Sequence, residues 1–515
     1  MDLYGSDQLS GASIVSAGRT RLWGRVALFA GLTVLIGAFA LLSLSWPSAA
    51  RAAAASQSQQ PSGSPISSTF FGLHINLLST PWPQVPFGSL RLLADLTTWV
   101  HLEGQSRNQY DWRMLDGWLS QARAHGVDAM YSFVNTPPWA ATDPHGNCGH
   151  GGKTGECTPP KDLSLTAPCQ GPLAGVTTTD CYFKEYVTSL LDHVCTGTAP
   201  NKNCQITAFS CWNEPNLDGF WSGTYAQSAQ MCSDMVKIVK EQCRNCITLT
   251  PDVSAATTGG TKENGDSRSW DEWGKNFLLA YKQYGNYPDA AAFHPYAAQT
   301  FGLERTPFPD TLAGSSCPGG ARSDRCPGTI LERVVQFRSL LDQYGMPGKA
   351  IWDTESSWGP QSGLSDPDLQ AAFVARWLIG QASAGVARAY WFLWEHAGRG
   401  WGGLWHDQNG ITNAGTAWGQ VYNWLAGATF VKPCSANADV WVCDLSRPNG
   451  YMAEIVWDAS HSYLPEATSK YAVGKQFTQY RDLAGNKNPV RGGNVMISTK
   501  PILLENAAPP PTHRQ

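Results

Sequence analysis

Short apolar runs alternate with amphipathic stretches along most of the chain, and this alternation predicts repeated strand–helix units. Apolar positions recur at helical spacing in residues 225–242, and two further predicted helices end at Gly126 and Gly345, the residue type that often follows a helix. The runs predicted as strands are residues 70–75, 89–93, 128–133, 206–211, 247–250, 291–293, 349–352 and 389–392. Eight strand–helix units within residues 67–428 predict an α/β fold, a parallel (β/α)8 TIM barrel that carries the catalytic site.

From about Thr429 the pattern changes to short runs in which apolar and polar residues alternate. The strands predicted there are residues 440–444, 451–457, 476–480, 495–498 and 502–504. Strands in close succession without helices between them favour a small antiparallel, sandwich-like β-domain over residues 429–506. The proline-rich tail, residues 507–515, is predicted to be disordered.

The N-terminus has the pattern of an export signal. Arg19, Arg21 and Arg25 precede an apolar run over residues 26–46, and small residues follow that run. Residues 1–52 are predicted to be either a cleaved signal peptide or a membrane anchor, because about 20 apolar residues are enough to cross a bilayer. Residues 53–66 are predicted to be a flexible linker. Both alternatives place the rest of the chain outside the cytoplasm, secreted or anchored.

Fourteen cysteines agree with an exported protein, because disulfides persist in oxidising compartments. The pairs that lie close in sequence are Cys148 and Cys157, Cys169 and Cys181, Cys195 and Cys204, Cys317 and Cys326, and Cys434 and Cys443. The pairing of Cys211, Cys232, Cys243 and Cys246 stays open, with a zinc site at Cys243-x-x-Cys246 as the alternative, although a second CxxC motif is missing. Two long loops, residues 135–180 and 298–328, are predicted to wall a cleft on the active-site face.

The composition narrows the class of partner. The formal net charge is −4 and only 15% of the residues are charged. Nucleic acid is therefore excluded as the main partner, because phosphate binding needs clustered lysine and arginine. The 22 tryptophans are numerous enough to fill a core and also to line a surface against which sugar rings can stack.

Two glutamates carry the predicted chemistry. Glu214 lies in the sequence CWNEPN directly after the fourth predicted strand, and Glu355 lies in WDTESSWG after the seventh. Strands four and seven lie on roughly opposite sides of an eight-stranded ring, so the two carboxyl groups can face each other across the barrel mouth. Retaining glycoside hydrolysis needs two carboxyl groups about 5–5.5 Å apart, one to protonate the leaving oxygen and one to attack the anomeric carbon. Asp353 is the local alternative to Glu355 as the nucleophile.

The sequence resembles clan A glycoside hydrolases, whose catalytic pair follows strands four and seven. Residues 213–215, with the sequence NEP, match the acid/base motif of that clan. More narrowly, SLRL at 89–92, YDW at 110–112 and TPPWA at 136–140 resemble family 39 enzymes and related exopolysaccharide-processing endoglycosidases. The resemblance covers residues 70–430 and a final β-module. The cysteine-rich loop after the third strand departs from the family pattern, so the resemblance does not name the substrate.

The resemblance implies contacts around the catalytic pair. Arg91 would stand beside Glu355 and favour its charged form, and Tyr296 would bond the same carboxylate. Asn213 can bond the 2-hydroxyl of the sugar, and Trp394 would be the stacking platform after the eighth strand. The other predicted sugar contacts are Trp139 at a neighbouring subsite, His294, His74 and Asn76. Glu395 and His396 are predicted to extend the polar floor of the mouth.

Together these features predict a retaining glycoside hydrolase that acts on a polysaccharide or oligosaccharide and needs no metal or organic cofactor. Two alternatives stay open: a transglycosidase that uses the same residues with a sugar acceptor, and a non-catalytic carbohydrate-binding surface protein. A serine hydrolase is disfavoured, because no Gly-x-Ser-x-Gly elbow follows a predicted strand. The sequence leaves open the sugar and linkage, endo or exo action, and the oligomeric state.

Overall fold

The structure is a computed structural model, and it describes residues 63–93, 96–149, 153–255, 260–296, 308–310, 329–359, 364–395 and 401–506. The predicted signal or anchor, the predicted tail, Cys317, Cys326 and His396 lie outside the described residues. Among the helices of the described segments, none combines the length and the apolar character that crossing a bilayer requires.

A closed parallel barrel organises residues 71–391. Its strands, in order, are Phe71–His74, Ser89–Leu92, Asp128–Ser132, Ile206–Ser210, Ile247–Leu249 with Val253–Ser254, Ala290–His294, Ala350–Ser356 and Arg388–Trp391. The fifth position is shared by two short strands that both pair with the sixth strand. The eighth strand pairs with the first, so the sheet closes on itself. The predicted (β/α)8 barrel is confirmed.

Four of the described helices begin at residues whose side chains bond the first turn: Tyr225–Gln242, Ile330–Tyr344, Pro367–Ser383 and Asn413–Leu425. Thr224 accepts from the N–H of Gln227, whose side chain bonds back to Thr224, and this capping box begins Tyr225–Gln242. Gly345 follows Ile330–Tyr344 with a φ of 113°, the left-handed conformation that ends many helices. The described helices are Trp99–Leu102, Arg113–Ala124, Cys181–Val194, Tyr225–Gln242, Trp270–Tyr281, Ile330–Tyr344, Pro367–Ser383 and Asn413–Leu425.

The barrel interior is filled by a small apolar cluster, distinct from the larger core between the strands and the helices. Its members include Ala290, Ala292, Trp352 and Tyr390. Gly72 on the first strand makes room for this filling, because a Cβ there would lie 2.4 Å from the Tyr390 ring. The interior is therefore a packed core, and a site can lie only at its mouth.

After the last barrel helix, antiparallel strands form a seven-stranded sheet and a separate two-stranded sheet. These strands are Thr429–Phe430, Ser435–Asn437, Val440–Arg447, Tyr451–Asp458, Ser469–Ala472, Gln479–Arg481, Lys487–Pro489, Asn494–Ile497 and Ile502–Glu505. Arg447 donates to the backbone carbonyls of Asn423 and Trp424 in the last barrel helix, at 2.7 and 2.9 Å. The larger sheet therefore lies directly against the barrel, and its separation as a domain stays a prediction.

Disulfides and short hairpins fix the loops. The described disulfides are Cys148–Cys157, Cys169–Cys181, Cys195–Cys204, Cys211–Cys232, Cys243–Cys246 and Cys434–Cys443. The hairpins are Ala167–Pro168 with Thr177–Thr178, Cys195–Thr196 with Asn203–Cys204, and Trp405–His406 with Gly410–Ile411. The pairing that the sequence left open is thereby settled. Because Cys243 and Cys246 bond each other, they do not offer thiolates to zinc, and the zinc alternative is wrong.

Candidate active site

The segment after the fourth barrel strand carries Glu214 into the barrel mouth. The N–H of Asn213 donates to the carbonyl of Phe133, and the N–H of Glu214 donates to the carbonyl of Asp252, both at 2.9 Å. Glu214 has a φ of 40°, in the left-handed region that residues with a side chain rarely adopt. Such a conformation persists only where the surroundings hold it. The position of this carboxyl group therefore depends on the contacts of its loop.

A β-bulge directs Glu355 into the same mouth. Between Asp353 and Ser356, the seventh strand has one residue more than the stretch of the eighth strand with which it pairs. Arg91 Nη1 donates to Glu355 Oε2 at 2.5 Å, and the Tyr296 hydroxyl donates to Oε1 at 2.9 Å. Arg91 and Tyr296, the two residues expected to contact Glu355, therefore both donate hydrogen bonds to its carboxylate.

Asp353 lies on the other side of the bulge. Its Oδ2 accepts from the Ser356 hydroxyl at 2.5 Å and from the side-chain amide of Gln381. Gln381 belongs to Pro367–Ser383, so the Asp353 carboxyl group faces the helix layer instead of the mouth. Burial raises the pKa of Asp353 to about 7. This position does not suit a nucleophile, the role for which Asp353 was the alternative to Glu355 in the sequence.

Glu214 and Glu355 come close enough to act on one bond. A carboxylate oxygen of each and a ring nitrogen of His294 all lie within 4.8 Å of one another. His294 Nδ1 lies 2.8 Å from Glu214 Oε1, and its Nε2 has no hydrogen-bond partner among the described residues. Burial lowers the pKa of His294, but the charge of Glu355 and the bond to Glu214 outweigh burial and raise it above 6.5. The two glutamates therefore favour the charged imidazole.

Arg91 is the centre of a buried polar network. Its Nη2 donates to Asn213 Oδ1 at 2.6 Å and to Asp252 Oδ2 at 3.0 Å. The other oxygen of Asp252 accepts from the hydroxyls of Ser210 and Thr354, at 2.8 and 2.9 Å. The sequence interpretation missed Asp252. A polar residue just after the fifth predicted strand was the signal that could have found it.

Glu214, His294 and Glu355 also offer the donor types that divalent transition metals bind. The Arg91 guanidinium, 2.5 Å from Glu355, already balances the charge of that carboxylate. A second cation between the same groups would be repelled by it. The arrangement therefore suits proton transfer and nucleophilic attack better than metal binding.

The ends of the first and eighth strands are joined by Glu395. Its carboxylate accepts from the N–H groups of Asn76 and Leu77 and from the hydroxyl of Thr80, at 2.8 to 3.0 Å. These contacts use both carboxylate oxygens to fix the loop after the first strand. By these contacts Glu395 supports the loop structurally, and its part in the polar floor of the mouth stays a prediction.

Two tryptophans lie near the mouth, and their surroundings differ. Trp394 is only 1% exposed and stacks on Trp405 with ring centroids 6.5 Å apart. Its role as a stacking platform stays a prediction. Trp401 is half-buried, and its ring meets the edges or faces of Tyr296 and Phe392 at 5.8 and 5.0 Å. The sequence interpretation missed Trp401, which lies in a loop beyond the eighth strand.

Trp139 and His74 have different surroundings from each other. Trp139 is half-buried, its Nε1 donates to the carbonyl of Glu103 at 2.7 Å, and its ring contacts Tyr182 at 5.3 Å. His74 is buried, and burial lowers its pKa well below 6.5, so its ring is neutral. Sugar binding by either residue stays a prediction.

Several solved glycoside hydrolases share this fold. A family 39 enzyme from the gut symbiont Bacteroides cellulosilyticus WH2 is 14% identical, covering 86% of this chain and 81% of its own, with a TM-score of 0.55. A family 39 enzyme from Xanthomonas axonopodis pv. citri is also 14% identical, covering 86% and 95%, with a TM-score of 0.53. A family 44 xyloglucanase from Paenibacillus polymyxa is 13% identical, covering 86% and 96%, with a TM-score of 0.52. No family model and no curated protein matches the chain. Identities this low show the fold alone.

Proposed function

We propose that this protein is a retaining glycoside hydrolase, with Glu355 as the nucleophile and Glu214 as the acid/base. The approach of the two carboxyl groups carries the proposal, since an oxygen of one lies within 4.8 Å of an oxygen of the other. Retaining enzymes hold these groups about 5–5.5 Å apart, whereas inverting enzymes leave about 6.5–9.5 Å for a water molecule. The short separation supports double displacement.

In the first step, a carboxylate oxygen of Glu355 attacks the anomeric carbon while the glycosidic bond breaks. The leaving oxygen takes its proton from Glu214, and a covalent glycosyl-enzyme results. Arg91 and Tyr296 each donate to one oxygen of the Glu355 carboxylate and so fix its orientation. With its Oδ1 bonded to Arg91, Asn213 would offer its amide nitrogen to the 2-hydroxyl of the sugar.

In the second step, Glu214 takes a proton from water, and the water oxygen attacks the anomeric carbon and releases Glu355. The 2.8 Å contact between His294 Nδ1 and Glu214 Oε1 keeps the carboxyl group oriented through both proton transfers. No step needs a metal or an organic cofactor.

The substrate class we propose is a polysaccharide or oligosaccharide handled outside the cytoplasm. The described disulfides support an oxidising compartment. The motifs that resemble family 39 and exopolysaccharide-processing enzymes support a sugar polymer. Within this proposal, residues 429–506 form the small β-domain that closes the chain.

The test compares wild type with Glu355→Gln on a panel of plant and bacterial polysaccharides. We expect reducing ends to be released by wild type and the rate to fall by several orders of magnitude in the variant, because the amide is a poor nucleophile. Asp353→Asn is the matched control and should keep activity. NMR of the first product should show the anomer of the substrate. Hydrolysis by Glu355→Gln at the wild-type rate, or a first product with the inverted anomeric configuration, would contradict the proposal.

A further inference from the structure

The loop after the fifth barrel strand forms a short hairpin, residues 260–268. The N–H of Lys262 donates to the carbonyl of Asp266 at 2.8 Å, and the N–H of Arg268 donates to the carbonyl of Gly260 at 2.9 Å. The hairpin thus satisfies much of its own backbone, and its polar side chains are left for contacts with other segments.

Four of those side chains contact one segment, residues 215–225, which directly follows Glu214. The contacts are Lys262 with Pro215 and Trp221, Asn264 with Ser222 and Gly223, Asp266 with Tyr225, and Arg268 with Asp218. Such a concentration is notable in a chain of which only 15% is charged. The hairpin therefore holds the loop of the proposed acid/base.

Lys262 is the buried member of this set, with 4% of its surface exposed. Its Nζ donates to the carbonyl of Pro215 at 2.8 Å and to the carbonyl of Trp221. Among the described residues no carboxylate lies within ion-pair distance of this Nζ, and burial lowers the pKa of Lys262 to about 8 although the charge of Asp266 opposes that shift. Burying an ammonium group against neutral carbonyls is costly. In return, the ammonium satisfies two carbonyls of the loop after Glu214, which an apolar side chain would leave without a donor.

We propose that Lys262 is a positioning residue for Glu214, and that the 260–268 hairpin holds the acid/base loop in its working conformation. This inference rests on the proposed function. Pro215 is the next residue after Glu214, whose left-handed turn depends on the contacts of its loop. When the Lys262 ammonium is removed, the carbonyls of Pro215 and Trp221 lose their donor and the turn can relax. A small displacement of the acid impairs proton transfer to the leaving group but spares attack by Glu355.

The test uses leaving groups that differ in their need for an acid. Phenyl and dinitrophenyl glycosides are prepared from the sugar unit that wild type releases from its best polysaccharide. For Lys262→Met, we expect kcat/KM to fall about tenfold to a hundredfold with phenyl, which needs protonation, and less than about threefold with dinitrophenyl, which does not. Lys240→Met is the matched control, because Lys240 Nζ donates to the carbonyl of Cys246, directly before the fifth strand and far from the mouth. It should affect both substrates equally.

A loss of the same size with both leaving groups, or no loss at all, would overturn the role of Lys262. If Lys262→Met does not fold, Asn264→Ala removes the exposed neighbouring contacts and should show the same selectivity for phenyl with a smaller loss. Glu214→Gln separates the two proposals. If its activity does not depend on the leaving group, or if wild type cleaves no glycoside, the proposed function itself fails. If Glu214→Gln loses more activity with phenyl than with dinitrophenyl glycosides, and neither Lys262→Met nor Asn264→Ala does, only this inference fails.

Discussion

Glu355 and Glu214 face each other across one mouth, but the protein holds them in different ways. Glu355 lies on a bulged strand and is bonded by a buried guanidinium and a buried phenol, from Arg91 and Tyr296. Glu214 lies in a left-handed turn, is bonded by the imidazole of His294, and belongs to a loop that another loop ties down. A nucleophile must carry its negative charge when it attacks, whereas an acid/base must gain and lose a proton in every cycle. The comparison indicates that a guanidinium and a phenol suit the charged nucleophile, whereas an imidazole and a loop held by a second loop suit the group that exchanges a proton.

The largest expected effect comes from removing the fixed charge. Arg91→Met leaves Asp252 and Glu355 without their common cation, so the free energy of unfolding should fall by about 3–5 kcal/mol. Urea denaturation near neutral pH measures this change. Arg388→Met is the control, because it breaks a partly exposed pair with Asp128 and should cost less than about 1 kcal/mol. An equal loss of unfolding free energy in the two variants would show that the buried Arg91 network stabilises the fold no more than the partly exposed pair does.

The next prediction separates Glu355 from its neighbour Asp353. The folded-state pKa of Asp353, about 7, lies above its ordinary value of 3.8, so wild type should lose stability as pH rises from about 4 to about 7. Asp353→Asn removes this loss, and the new amide can donate to Gln381 Oε1, which has no partner among the described residues. The variant should gain about 2–4 kcal/mol on wild type across that range. Unfolding at both ends of the range tests it, and a constant difference would refute it.

Tyr296→Phe should weaken the support of Glu355 without removing its charge. Losing one hydrogen bond to a charged group costs about 1.5–3 kcal/mol, so kcat/KM should fall about tenfold to a hundredfold. The loss should be similar for phenyl and dinitrophenyl glycosides, because it concerns the nucleophile. A loss confined to phenyl glycosides would place the phenol with the acid instead.

The smallest effect is expected at His294. Its pKa is raised above the ordinary 6.5, so its charged form stabilises the fold below about pH 6.5, and this contribution disappears as pH rises through the folded-state value. The stability advantage of wild type over His294→Gln should therefore be larger at pH 5.5 than at pH 8.5. Thermal unfolding at the two pH values checks this, and a difference that grows with pH would mean that the imidazole is neutral.

The strands and the glutamate pair were accessible from the sequence because both depend on local pattern and position. A run of β-branched and aromatic residues predicts a strand, and a polar residue just after it predicts a side chain at the barrel mouth. Asp252 follows the same rule, but the fifth position is split into two short strands and Asp252 lies between them. The rule identified Glu214 and Glu355 because their motifs are longer.

The seventh strand shows what a pattern cannot give. Strict alternation places Asp353 and Glu355 on the same face, but the bulge between them sends one to the helix layer and the other to the mouth. Trp394 shows a second limit. It is buried against Trp405, which lies in a later segment of the chain, and a local sequence pattern does not predict such a contact.

The described disulfides share a property with a practical consequence. The longest separation between partners is 21 residues, and the shortest is 3. Closing such short loops costs little chain entropy. Each bridge can therefore form between cysteines that are close in sequence, before distant cysteines compete for either partner. Production in an oxidising compartment should then give correctly bridged protein without an extended phase of disulfide exchange.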